Sequence, residues 1–143
     1  MNEAQVQFAQ VYDRVQVDSG TAGPIDLSGL MGTWINTNPD SGGIARMVIS
    51  GSNESPSLRA YAIGPDGSID WGAAELKVFR AGPASRVAAG FTSSYDFGFA
   101  ETQLQAMILK GLIVLVQTHH FKDNSNRADY FVREYFGLDH GRY

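Results

Sequence analysis

Residues 103–122 read Gln-Leu-Gln-Ala-Met-Ile-Leu-Lys-Gly-Leu-Ile-Val-Leu-Val-Gln-Thr-His-His-Phe-Lys. Two apolar tracts meet at Lys110-Gly111, where a glycine supplies the backbone freedom of a tight hairpin turn. Gln103 to Leu109 taken alone could pass for a helix. Gly111 and the flank rich in valine and isoleucine argue for a strand instead. The stretch therefore predicts an antiparallel pair, Gly98–Leu109 with Leu112–Lys122.

Outward from that pair the same period recurs. Toward the C-terminus, Asp123-Asn124-Ser125-Asn126 has the composition of a turn, and Ala128–Leu138 reads as the last strand. Toward the N-terminus, strands are expected at Met31–Asn38, Ile44–Ser50, Ser57–Ile63 and Arg86–Ser93. Another starts at Ser68 and resumes through Glu75 to Phe79. Asn38-Pro39-Asp40-Ser41-Gly42-Gly43, Gly64-Pro65-Asp66-Gly67 and Arg80-Ala81-Gly82-Pro83 punctuate them as turns. No long helix is expected between Leu30 and Leu138, and no connection is long enough for a Greek-key crossover. The expected fold is all-β: an eight-stranded antiparallel up-and-down barrel, with room for its own side chains or one small ligand. Residues 3–15, free of Gly and Pro, are the one helix candidate, ended by Gly20–Pro24. The expected organisation is thus an N-terminal helix and linker over 1–24 and a barrel domain over 25–143.

Bulk properties limit the function. The chain has 143 residues and a formal charge of −4, so it lacks the basic field that a nucleic-acid binder needs. Absence of cysteine removes disulfides, thiolate nucleophiles and Cys-based zinc sites. The first seven residues lack the basic start and apolar run of a signal peptide. The longest apolar run, Leu112 to Val116, is too short to span a membrane as a helix. The expectation is a cytoplasmic protein with no membrane insertion, no metal and no cofactor.

Leu30-Met31-Gly32-Thr33-Trp34 resembles the Gly-X-Trp opening of the calycin superfamily, which includes lipocalins, fatty-acid-binding proteins and avidins. A closer likeness is to small bacterial lipocalin-like proteins without assigned activity. It rests on Gly32–Pro39, Gly43–Ile49, Asp70-Trp71-Gly72 and the Arg127–Phe136 ending. The resemblance implies a barrel with an internal cavity and carries over no catalytic residues. It implies that Trp34 closes one barrel end and that Arg133, on the last strand, packs across its face; a guanidinium over an indole gains a cation–π contact.

Several side chains are candidates for chemistry. His119 and His120 are adjacent on a strand, so they face opposite ways and cannot chelate one metal between them. One should face the interior as a hydrogen-bonding group or acid/base; apolar residues on both faces leave open which. Glu134 is a further weak catalytic candidate. Arg46 interrupts an apolar strand, and an inward arginine is costly unless paired. It is therefore either an outward charge or an anchor for a ligand acid, with Tyr61 and Tyr130 as companion polar groups. Trp71 beside Gly72 marks a bulge or sharp bend, and its ring either lines the barrel mouth or caps the core.

Three functions follow as expectations. The first is binding of a small, largely apolar ligand inside the barrel, acidic if Arg46 anchors it. The second is a cofactor-independent cyclase or isomerase acting on a biosynthetic intermediate, since such catalysis needs little beyond shape and one acid or base. The third is a closed barrel acting through its outer face as a structural protein, for instance a homodimer.

Overall fold

The computed structural model describes residues 23–140; the expected helix over 3–15 lies outside them. The described chain folds as nine strands: β1 (Gly32–Asn36), β2 (Ile44–Gly51), β3 (Pro56–Gly64), β4 (Gly67–Glu75), β5 (Lys77–Arg80), β6 (Ala88–Asp96), β7 (Ala100–Leu109), β8 (Leu112–Phe121) and β9 (Tyr130–Leu138). They form one antiparallel sheet in the order β4-β3-β2-β1-β9-β8-β7-β6-β5, curled into a half-barrel. Among the described residues no helix is long and apolar enough to cross a membrane.

Period-two alternation builds the curl. In β7, Ala100, Thr102, Leu104 and Ala106 are buried, while Gln103, Gln105 and Met107 are exposed. In β8, Ile113, Leu115 and Gln117 point to the same interior. Phe91, Phe136, Met47, Ile49 and Leu58 join them in the core; full burial of each such side chain contributes about 1.5–3 kcal/mol. The β7–β8 turn is the tight hairpin expected, with Leu109 opposite Leu112. Lys110 (φ 52°) and Gly111 (φ 81°) both adopt the left-handed conformation that such a turn demands.

The first and last strands meet. Trp34 pairs with Leu138 and Asn36 with Phe136, and the pairing is extended by Thr37 N–H donating to the Tyr135 carbonyl at 2.8 Å. The other border differs from expectation. The tract predicted as one strand is two, because the chain exchanges partners at Leu76: β4 pairs with β3, and β5 with β6. Leu76 is buried, and its N–H donates to the Pro56 carbonyl. The two borders of the sheet are therefore separated by one residue of chain, and nine strands replace the expected eight.

Side chains tie this seam. The register between β3 and β4 slips between Arg59 and Tyr61, opposite a bulge at Trp71-Gly72, where Gly72 has φ 87°. Tyr95 of β6 fills the interruption: its hydroxyl accepts from Ala60 N–H (3.1 Å) and donates to the Gly72 carbonyl (2.8 Å). Nearby, Ser93 Oγ donates to the Glu75 carbonyl at 2.8 Å.

The two ends of the half-barrel are unlike. Trp34 is buried, and its indole N–H donates to the Leu30 carbonyl at 2.9 Å, so the turn at Leu27–Met31 folds over that end. Arg133 does not cover the indole. Trp34 is level with Leu138, five positions further along β9 and on the other face. Odd positions of β9 point outward because Glu134 and Phe136 take the interior; Arg133 and Tyr135 are exposed.

Candidate ligand-binding site

At the end remote from Trp34 the half-barrel holds a cavity of about 590 Å³. Its walls come from the Asn38–Gly43 turn, from Trp71 of β4, from Phe97 and Phe99 after β6, and from the inward residues of β7, β8 and β9. That size and its mixed lining, aromatic rings interleaved with polar and charged groups, suit a small organic molecule.

Strand register places the polar groups. Thr102, His119 and Tyr130 form one cross-strand row, since Thr102 pairs with His119 and His119 with Tyr130. Thr102 Oγ1 lies 2.9 Å from His119 Nδ1, and Tyr130 stacks on the imidazole with ring centres 4.6 Å apart. Burial pushes the His119 pKa below its ordinary value, because the charged ring loses water and gains no counter-charge. Near neutral pH the ring is a neutral hydrogen-bonding group, able to offer a donor or an acceptor into the cavity.

Deeper lie Gln117 and Glu134. Gln117 is fully buried and Glu134 is 9 % exposed. Among the described residues neither amide atom of Gln117 has a hydrogen-bond partner, and nor has Glu134 Oε1. Both side chains converge on Gly43: a Cβ built there would stand 3.4 Å from Glu134 Oε1 and 3.8 Å from Gln117 Nε2. Native proteins leave few buried polar groups unpaired, so three such atoms together call for an explanation.

Aromatic rings run from the seam to the mouth. Trp71 meets Tyr95 edge-on at 5.5 Å and Phe97 at 5.1 Å, and Phe97 stacks on Phe99. At the rim Arg127 lies over Phe121 (4.3 Å) and is paired with Asp123 at 2.8 Å. Lys122 beside Asp96, at 2.7 Å, holds that carboxyl below the usual carboxylate range.

Of the residues singled out from sequence, His119, Glu134, Trp71 and Tyr130 meet in this cavity. His120 points outward, where its Nδ1 pairs with Asp129 at 2.8 Å. Arg46 and Tyr61 also leave the site. They pair with each other on the outer face, which Ile35 shares, and the guanidinium stacks on the phenol ring at 4.1 Å. A bulge between Ile44 and Arg46 shifts the alternation, so Ile44 and Met47 are both buried and Arg46 faces out. The reading of Arg46 as anchor for a ligand acid is thereby corrected. Gln117, Thr102 and Gly43 were not singled out; Gln117 opens the polar run Gln117–His120 after the apolar Leu112–Val116. Among the described residues no group of three or more His, Asp and Glu is placed to hold a metal ion.

No family model, curated protein or solved structure matches the chain. The antiparallel curled sheet is compatible with a calycin-like fold.

Proposed function

We propose that this protein binds one small, largely apolar molecule in the cavity between the Asn38–Gly43 turn and β9, inside a calycin-like barrel closed along the Tyr95 seam. The observation that carries the reading is an aromatic wall together with Glu134 in the lining, its Oε1 buried and unpartnered among the described residues, and buried Gln117 behind Gly43. A buried polar atom without a partner costs about 1–3 kcal/mol. A fold that only had to be stable would place apolar side chains there. A ligand whose polar end meets these atoms recovers that cost on binding and gains orientation from it.

Native mass spectrometry of freshly purified protein tests the reading. A retained small molecule, lost when Gly43→Ala narrows the cavity floor, supports it. An unadorned mass, together with no thermal shift from any member of a panel of small aromatic compounds, overturns it.

One observation favours a second reading, cofactor-independent isomerisation or cyclisation. His119 and Glu134 line the same cavity, and burial keeps the imidazole neutral as a base requires. In that reading His119 moves a proton on a bound molecule while Glu134 and Gln117 hold it. Conversion of the retained molecule by wild type but not by His119→Gln, with binding unchanged, separates the two readings.

A further inference from the structure

Resting on the cavity as a ligand site, we infer that its ligand is an organic amine: an aromatic or apolar body with a protonated nitrogen that sits between Glu134, Gln117 and Gly43. Charge and hydrogen-bond type both point to it. Glu134 Oε1 is an acceptor without a donor, and it belongs to a side chain nine-tenths buried. Gln117 Oε1 is a second buried acceptor without a partner among the described residues, on a side chain whose Nε2 also approaches Gly43. An ammonium group brings several donors and a positive charge to that spot, and charge-assisted hydrogen bonds are about twice as strong as neutral ones.

The walls agree with the floor. Trp71, Phe97 and Tyr130 present aromatic rings to the cavity, and a cation near such faces is attracted by the ring quadrupole. Among the described residues the lining's one cation, Arg127, sits at the rim, held by Asp123 and stacked on Phe121. A carboxylate ligand would face Glu134 without a counter-ion at the depth where the unused groups lie. The remaining unused atom, Gln117 Nε2, is a donor, so an oxygen next to the amine nitrogen completes the match. No glycine Cβ fills the point where these groups converge, and Gly43 has no left-handed backbone to explain its identity.

The test uses the full chain and three probes of like shape: phenylbutylamine, phenylbutanol and phenylbutyrate, followed by quenching of tryptophan fluorescence and by calorimetry. Phenylbutylamine should bind about tenfold more tightly than phenylbutyrate, with the alcohol between, as one charge-assisted hydrogen bond predicts. Glu134→Gln, checked for folding by circular dichroism, should shrink that preference to within about threefold, the residue of a neutral hydrogen bond. Gly43→Ala retains the carboxylate and should weaken the amine by filling its seat. Equal affinity for amine and acid in wild type overturns the inference and leaves the cavity reading standing. Binding of none of the three overturns both.

Discussion

Replacing Tyr95 by Phe tests how the two borders of the sheet are held together. The ring is retained, so packing against Trp71 and Phe97 is unchanged in area. Only the hydroxyl goes, and with it two hydrogen bonds, from Ala60 N–H and to the Gly72 carbonyl. Ala60 is fully buried, so its amide is left without a partner at a cost of about 1–3 kcal/mol. Gly72 is half-buried at the bulge, and water can replace the phenol at its carbonyl, so that loss is smaller, about 0.5–1 kcal/mol. The expected destabilisation is about 1.5–4 kcal/mol, a fall in Tm of about 5–13 °C for a chain of this size. Urea unfolding followed by far-ultraviolet circular dichroism measures it, and an unchanged m-value confirms that the same surface unfolds. Ser93→Ala is the matched comparison. It removes a bond to the carbonyl of exposed Glu75, which water can satisfy, so the cost is about 0.5–1 kcal/mol. A Tyr95→Phe loss no greater than that of Ser93→Ala would refute the claim that this hydroxyl substitutes for the interrupted ladder.

Two other outcomes are expected. Burial lowers the His119 pKa, so between that value and the unfolded value near 6.5 the unfolded chain binds more protons. Stability therefore falls as pH drops through that window and levels off below the folded pKa; subtracting the unfolding curve of His119→Gln from that of wild type between pH 4 and pH 8 isolates the effect, and parallel curves would contradict it (pH limits on the order of the histidine range). Arg46→Met should leave ligand affinity unchanged and cost about 0.5–1 kcal/mol through the lost stacking on Tyr61, readable by titration and urea unfolding together; a tenfold loss of affinity would return Arg46 to the site.

Strand positions and turns were legible because they are written locally. Lys110-Gly111 and Gly64-Pro65-Asp66-Gly67 need particular backbone angles, and alternation flanks each of them. The bulge at Trp71-Gly72 was legible for the same reason. Facing was harder. Both sides of Leu112–Val116 are apolar, so only the completed sheet shows that His119 is inside and His120 outside. The sequence left Arg46 open between an outward charge and a ligand anchor, because the bulge between Ile44 and Arg46 resets the alternation and no Gly or Pro lies within it. Arg133 was misplaced for a different reason: the residue type suited the role, but register puts Leu138 beside Trp34. Gln117 was passed over because it opens the polar run Gln117–His120, where nothing distinguishes an inward glutamine until the face is known. The division of the fourth tract at Leu76 depends on a change of partner between distant strands, which no local signal records.

The central claim is that Gln117 and Glu134 are held unpartnered for a ligand and do not serve the fold. Urea unfolding of Gln117→Met and of wild type, each first freed of any retained small molecule by unfolding, washing and refolding, tests it most directly. Methionine keeps the volume and removes two buried polar atoms that lack partners, so the variant should be more stable than wild type by about 1–2 kcal/mol while losing the small molecule that wild type retains. A variant less stable than wild type would show that the amide supports the folded core, and the claim would fail.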